Sequence, residues 1–438
     1  MSGQNKNQQQ ILAKLGIEEL NPMQIAAHKA ISESSEVVLL SPTGTGKTLA
    51  FLLPIIAELD PSITGVQALI VVPSRELATQ IEQVVREMGS GYKTNAVFGG
   101  RSSSRDRVEL KHAPSILIGT PGRVADHLVR RAVSIDNIKT LVLDEFDKSL
   151  EVGFEEDMQD IIGSLPNVKK KILTSATQKV EIPDFIDLYN PSKLNFLKAN
   201  APSLLNLKTV ISPDSDKLKT LERLLTQLGT ESGIVFCNFK DTIQIVSDHL
   251  NKAGIGHVCF YGGLEQIDRE RALIKFRNGT HRILLASDLA ARGIDVPELN
   301  FIVHFELPPR KDEFIHRNGR TARMNTNGNA YVIQWKDEEL PIFIKGAKNE
   351  SLRAKRAPIE SEWDTLYISG GRKDKISKGD IAGLFFKQGQ LKKEELGIIE
   401  LQGNCSYVAV PRSKSKKLAD QLNNSRLKKR KVRISLLK

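Results

Sequence analysis

The chain has 438 residues, enough for about three domains at roughly 150 residues each. Hydrophobic residues make up 40% and charged residues 26%, a globular balance that argues against a disordered or fibrous chain. No apolar run approaches membrane-spanning length, and Cys237, Cys259 and Cys405 are odd in number and far apart, so neither a disulfide framework nor a zinc knuckle is signalled. The net charge of +11 is local: residues 366–438 carry 18 Lys and Arg against six Asp and Glu. The polar opening, residues 1–10, has no signal-peptide core. A cytoplasmic protein that does not enter membranes is expected.

In chain order, apolar periodicity predicts a helix over 11–20, broken at Asn21-Pro22-Met23-Gln24 and followed by another through 31. A buried strand over 36–40 runs into Ser41-Pro42-Thr43-Gly44-Thr45-Gly46-Lys47-Thr48 and then an apolar helix to 59. Strand, glycine-rich loop and helix make a phosphate cradle. Glycines let the backbone N–H groups converge on phosphate, the lysine reaches the outer phosphates, and the hydroxyl serves Mg²⁺. Ser41 stands where that pattern usually has glycine.

Further strands over 68–72, 96–100 and 115–118 end in polar loops that contain Arg75, Gly100, Thr120 and Arg123. Such loops collect on one edge of a parallel sheet, where Arg75, Thr120 and Arg123 are candidates for contacting a polymer backbone. The run Leu141-Val142-Leu143 ends in Asp144-Glu145-Phe146-Asp147, three carboxylates at a strand tip. A strand over 171–173 ends in the hydroxyl-rich Thr174-Ser175-Ala176-Thr177, and 190–207 reads as a linker.

A second region repeats the alternation without a phosphate loop, with strands over 233–237, 257–261, 282–286 and 301–305 and helices over 241–253 and 266–276. Ser287-Asp288 and Asp295 follow its third strand, and His316-Arg317-Asn318-Gly319-Arg320-Thr321-Ala322-Arg323 closes a helix. Arginines three apart share a helical face. After a charged, exposed segment over 345–360 comes a third unit. Its strands are expected over 365–368, 397–401, 406–410 and 431–435, with helices over 378–387 and 414–422. This β-α-β-β-α-β order suits an RNA-recognition sandwich, with Tyr367 and Tyr407 as candidate sheet aromatics.

The motifs, in this order, resemble those of the DEAD-box RNA helicases. Residues 21–24 match the adenine-reading Q motif, 41–48 motif I, 73–78 motif Ia, 120–123 motif Ib, 144–147 motif II and 175–177 motif III. Residues 233–238 match motif IV, 261–269 motif IVa, 286–295 motifs V and Va, and 316–323 motif VI. The C-terminal unit, through Ser369-Gly370-Gly371-Arg372-Lys373-Asp374-Lys375-Ile376 and residues 432–438, is similar to the RNA-binding domain of the bacterial DbpA-type subgroup. Departures are Phe146 in place of alanine, Tyr261 in place of histidine, and Asn318 and Ala322 at isoleucine and glycine positions.

The resemblance implies two tandem RecA-like parallel-sheet domains, residues 1–200 and 208–350, and an RRM-like α+β domain over 363–438. It implies ATP hydrolysis with Mg²⁺, coupled to local RNA unwinding by a monomer tethered to a hairpin of large-subunit ribosomal RNA. Gln24, Thr43, Gly44, Thr45, Gly46, Lys47, Thr48 and Asp295 would hold nucleotide, with Mg²⁺ at Thr48 and, through water, Asp144. Lys47, Asp144, Glu145, Arg320 and Arg323 would carry the chemistry. Asp147, Ser175, Thr177 and His316 would couple it to RNA, which Arg75, Gly100, Thr120, Arg123, Gln266, Arg269, Arg372, Lys373 and Lys375 would bind. Two other readings stand beside this one: an ATP-independent RNA-binding or annealing protein, and a translocating DNA helicase.

Overall fold

The computed structural model describes residues 7–100, 103–151, 153–177, 181–197, 205–288, 296, 299–321, 328–344, 346–352 and 360–437. They fall into two compact units, the first holding one sheet and the second holding two larger sheets and a two-stranded one.

In the first unit, β1 (Glu36–Leu40), β2 (Ala68–Val71), β3 (Thr94–Val97), β4 (Ile116–Gly119), β5 (Thr140–Leu143), β6 (Lys170–Ser175) and β7 (Ser192–Asn195) form one sheet. Its order is β3-β4-β2-β5-β6-β1-β7, with every pair parallel. The central strands are continuous apolar runs because helices cover both faces. Val142 faces one core with Val37, Leu39 and Ile172, while Leu141 and Leu143 face the other with Leu173 and Phe146. After β1 the chain passes over β6 and β5 to form β2, so the C-terminal tips of β5, β6 and β1 lie side by side. That order brings the acidic tip, the hydroxyl-rich tip and the phosphate loop to one edge.

The second unit opens with another all-parallel sheet. Its strands are β8 (Leu205–Ser212), β9 (Gly233–Phe236), β10 (Val258–Phe260), β11 (Ile283–Ala286), β12 (Phe301–His304), β13 (Gly328–Trp335) and β14 (Lys348–Asn349), in the order β10-β11-β9-β12-β13-β8-β14. Tandem parallel-sheet domains are thus borne out, with differences in their strands. The stretch expected as a linker, 190–207, contains β7 and the start of β8, the segment 345–360 contains β14, and β8, β13 and β14 were not anticipated as strands. β7 alternates half-buried and exposed residues and pairs only with β1, so it carries too little apolar signal to read as a strand.

The third sheet is antiparallel, β16 (Ile399–Leu401), β17 (Ser406–Pro411), β15 (Trp363–Ile368) and β20 (Ile434–Leu436) in that order, with helices Lys378–Lys387 and Arg412–Leu422. This is the expected β-α-β-β-α-β order. The last strand, expected over 431–435, is divided: Arg430–Lys431 (β19) turns back on Arg426–Leu427 (β18) as a hairpin, and only Ile434–Leu436 joins the sheet.

Leu366, Ile368, Val408 and Val410 pack with Ile381, Phe385 and Leu418 of the two helices. By alternation Thr365, Tyr367, Tyr407 and Glu400 occupy the opposite face. That face meets the second parallel-sheet domain where the helix Gln266–Arg277 ends. Arg277 donates from Nε and Nη2 to the two carboxylate oxygens of Glu400 at 2.8 and 2.7 Å. Asn278 Nδ2 and the Thr280 hydroxyl reach Thr365 Oγ1 at 3.2 and 2.7 Å, and Ser361 Oγ donates to the Gly279 carbonyl at 2.5 Å. Among the described residues, no helix is long and apolar enough to cross a membrane.

Arg277→Glu sets two carboxylates against each other and should loosen this docking by about 2 kcal/mol. Calorimetry should then resolve separate transitions for the second and third domains, and adding Glu400→Arg should restore a joint one.

Candidate nucleotide site and nucleic-acid interface

The loop after β1 is curled by Gly44 and Gly46, at φ 80° and 86°. The helix Lys47–Glu58 then starts with no side-chain cap, so its first N–H groups keep their capacity for an anion. Lys47 is buried and donates from Nζ to the carbonyls of Ser41 and Pro42 at 2.7 and 2.9 Å. Ser41, the departure from glycine, has a role: its hydroxyl pairs with Thr45 Oγ1 at 2.8 Å, and Thr45 Oγ1 donates to the Pro42 carbonyl at 2.8 Å. The loop is stapled from inside.

Asn21 and Gln24 form a capping box on the helix Pro22–Glu33, and both side chains also reach the phosphate loop. Asn21 Nδ2 donates to the Thr45 carbonyl at 3.0 Å and Gln24 Nε2 to the Gly46 carbonyl at 3.3 Å. A Cβ on Gly46 would lie 2.5 Å from Gln24 Nε2. An uncapped helix start, left-handed glycines, a spanning lysine and the nearby Thr48 hydroxyl fit a Mg²⁺-bound nucleoside triphosphate.

At the neighbouring tip, Asp144 is buried, which pushes its pKa up to about 6, and the adjacent Glu145 charge adds to the rise. Lys47 and a hydrogen bond from Thr174 oppose it. Burial also raises the Asp147 pKa, while Lys148 lowers it. Thr177 Oγ1 donates to Asp147 Oδ2 at 3.1 Å, and Ser175 Oγ accepts from the Thr177 amide at 2.9 Å. The structure therefore brings the motif II and motif III residues together. Phe146 is buried in the core beneath them. Thr174, on the same tip, was not among the candidate site residues.

Along the same edge Arg75 lies over the Gly99-Gly100 turn, where a Cβ on Gly100 would meet Arg75 Nη1 at 2.4 Å. Thr120 precedes the helix Pro121–Val129. Arg123 behaves differently from the expected polymer contact. Its side chain is 12% exposed, with Nε and Nη2 both 2.8 Å from Asp106 Oδ2, an oxygen shared with His127 Nε2 at 3.1 Å. Arg123 thus braces two helices from the inside.

In the second unit, Arg317 is among the largest fully buried side chains. It forks onto Asp288 at 2.7 and 2.5 Å and donates to the Glu306 carbonyl at 2.6 Å and to Asn238 Oδ1 at 2.7 Å. The Phe236 ring lies 4.9 Å beneath its guanidinium. Sequence spacing did not reveal this keystone, because its partners come from three different strand ends. Asn318 also acquires a reason: its Oδ1 accepts from Nε2 of the buried His304 at 3.0 Å. Arg320 is buried and His316 half-buried in the same segment, whereas Asp295, Ala322 and Arg323 lie outside the described residues.

Gln266 Nε2 donates to Glu270 at 3.3 Å, and Arg269 lies 4.8 Å over the Phe260 ring. In the third domain Lys373 and Lys375 are exposed and Arg372 half-buried. Ion pairs from Arg430 to Asp374 and from Lys428 to Asp380 hold the β18–β19 hairpin beside them. Tyr407 is buried and its ring lies edge-on to Tyr367 with centroids 5.7 Å apart, on the docked face. These two aromatics pack instead of forming an open stacking platform.

Burial, with the Arg317 charge behind it, lowers the His304 pKa to about 3. An unfolded histidine protonates near 6.5. The second domain should therefore lose stability as pH falls from about 6.5 towards about 3, where the unfolded chain binds the extra proton. In His304→Gln, which keeps an amide donor for Asn318, the acid-induced fall in Tm should be smaller. Gly46→Ala should cut nucleotide affinity at least about tenfold, by steric clash and backbone strain together. Gly153→Ala carries the same strain at φ 84° with nothing within 4 Å, so its nucleotide affinity should stay near wild type in a titration.

Comparison with known proteins agrees with this geometry. Residues 21–185 match the family DEAD/DEAH box helicase, 216–325 the helicase conserved C-terminal domain, and 365–436 the DbpA RNA binding domain. The ATP-dependent RNA helicase DbpA of Escherichia coli is 34% identical over 440 residues, covering 98% of this chain and 96% of that protein. DbpA of Bacillus subtilis is 30% identical, covering 97% and 96%. Among solved structures, the DEAD-box helicase Mss116 bound to single-stranded RNA and UDP-BeF superposes with a TM-score of 0.68 at 28% identity, covering 77% of this chain and 74% of that one. The two helicase domains matched in tandem, followed by this RNA-binding domain, place the chain in the family of DbpA-type DEAD-box RNA helicases, which are RNA-dependent ATPases.

Proposed function

We propose that this helicase remodels structured RNA of the large ribosomal subunit during its assembly in the cytoplasm, acting as a monomer tethered by its third domain. The observation that carries this reading is the third domain itself. Residues 365–436 match the DbpA RNA binding domain, and Lys373, Lys375, Arg426, Lys429, Lys431 and Arg433 form an exposed basic edge. Its sheet face, where aromatic stacking usually occurs in such folds, is engaged by Arg277, Asn278 and Thr280. RNA is therefore assigned to the basic edge, and Arg372, Lys373 and Lys375 belong to it.

In the ATPase centre the phosphate loop and Gln24 hold ATP. Thr48 and, through water, Asp144 would hold Mg²⁺, which would supply charge neutralisation at the phosphates. Glu145 orients the attacking water. Arg320 and Arg323, with Asp295 at the ribose, serve the ATP- and RNA-bound state by offsetting charge on the transferring phosphoryl group. Asp147, Ser175, Thr177 and His316 link that state to RNA, which Arg75, Gly100, Thr120, Gln266 and Arg269 contact. Arg123 is moved from contact to support, because its guanidinium is committed to Asp106.

The test reverses two exposed charges, Lys429→Glu with Lys431→Glu. Affinity for a ribosomal hairpin should fall at least about tenfold, and the dependence of log affinity on log salt should become shallower by about two. ATPase at saturating unstructured RNA should persist. Crosslinking to cellular RNA should show wild-type contacts at one large-subunit hairpin, lost in the variant. Diffuse contacts on messenger RNA would overturn the ribosomal reading.

A further inference from the structure

We propose that Thr174 is a positioning residue of the ATPase centre: its buried hydroxyl clamps the Asp144 carboxylate and the Glu145 amide, holding Glu145 in the backbone conformation that directs its carboxylate. The inference rests on the roles assigned above to Asp144 and Glu145.

Thr174 is the fifth residue of β6 and is fully buried. Leu143 of β5 pairs with Leu173 of β6, so the next residues, Asp144 and Thr174, face each other across the two strand tips. Alternation places Thr174 on the same face as Ile172, and Asp144 on the same face as Val142, both within one core. A hydroxyl there must find partners or destabilise the fold. Its single proton goes to Asp144 Oδ1, and its oxygen accepts from the Glu145 amide at 3.2 Å. Its partners are the two carboxylate-bearing residues on the neighbouring strand, 29 and 30 positions earlier in the chain.

Glu145 needs such a restraint. Its φ of 49° is left-handed, a region that residues with a Cβ enter only when the surroundings impose it. Two anchors impose it here. On one side Thr174 holds the amide. On the other, the Lys148 amide donates to the Glu145 carbonyl at 2.9 Å while Phe146 is fixed in the core. The bulky Phe146 thus pins the chain immediately after the carboxylate, and Thr174 pins it immediately before. Without the hydroxyl, the Glu145 amide loses its partner, Asp144 loses a donor, and the carboxylates can swing from their working positions.

The experiment compares Thr174→Val, which keeps the shape but not the hydroxyl, with Thr174→Ser, which keeps the hydroxyl but not the methyl. RNA-stimulated ATPase kcat and KM, affinity for a fluorescent ATP analogue, and Tm are measured on the full chain. Thr174→Val should lower kcat about ten- to a hundredfold. KM for ATP and analogue affinity should stay within about twofold, and Thr174→Ser should recover most of the wild-type kcat. A wild-type kcat in Thr174→Val, an effect on KM alone, or equal impairment of Val and Ser would each overturn the inference. Glu145→Gln, run in parallel, separates the two levels. If it hydrolyses ATP at the wild-type rate, the carboxylate assignment fails and this inference with it. If it is inactive while Thr174→Val is unimpaired, only the role of Thr174 fails.

Discussion

Charged and polar groups held at the ends of buried strands need partners, and in this protein those partners come from neighbouring strand tips. A carboxylate taken from water is unstable unless it is hydrogen-bonded or paired. Asp144 shows the balance directly: burial and Glu145 drive its pKa up, and Thr174 with Lys47 draws it back. The phosphate loop obeys the same requirement, with Lys47 bound to carbonyls of its own loop and Gln24 and Asn21 tying that loop to the preceding helix. Local rigidity and charge placement thus arise from one set of contacts.

The second parallel-sheet domain meets the requirement with the opposite sign. Arg317 is the buried charge, and Asp288, the Glu306 carbonyl and Asn238 accept hydrogen bonds from all three nitrogens of its guanidinium. A planar five-donor group suits this position and a lysine would not. Next to it the neutral His304 pairs with Asn318, which makes a departure from the family pattern a matched buried pair. The carboxylate-bearing tips and the buried Arg317 are each organised by contacts within their own domain.

The third domain is held by contacts of the same kind. Its outward sheet face is engaged by the end of the helix Gln266–Arg277, whose beginning carries Gln266 and Arg269. Twelve residues of helix span about 18 Å, so the RNA contacts proposed for the second domain and the docking contact of the third share one rigid rod. The loop around Lys373 and the β18–β19 hairpin, joined by the Arg430–Asp374 ion pair, both carry exposed positive charge. A tethered RNA would therefore be presented in a fixed relation to that helix.

Much of this protein is legible from sequence alone. The phosphate loop, the acidic tip, the arginine-bearing helix end and the β-α-β-β-α-β order follow from spacing and apolar runs, because those signals act over a few residues. The structure added what depends on register and strand order. Ser41 became a staple, Asn318 the partner of His304, Arg123 an internal brace, and Thr174 the clamp on residues 30 positions away. It also made strands of residues read as linker, since β7 and the start of β8 draw stability from the strands they border more than from their own apolar content. The reason is physical: helical and turn contacts are set by neighbours along the chain, whereas the partners of a strand tip are chosen by which strands the fold lays beside it.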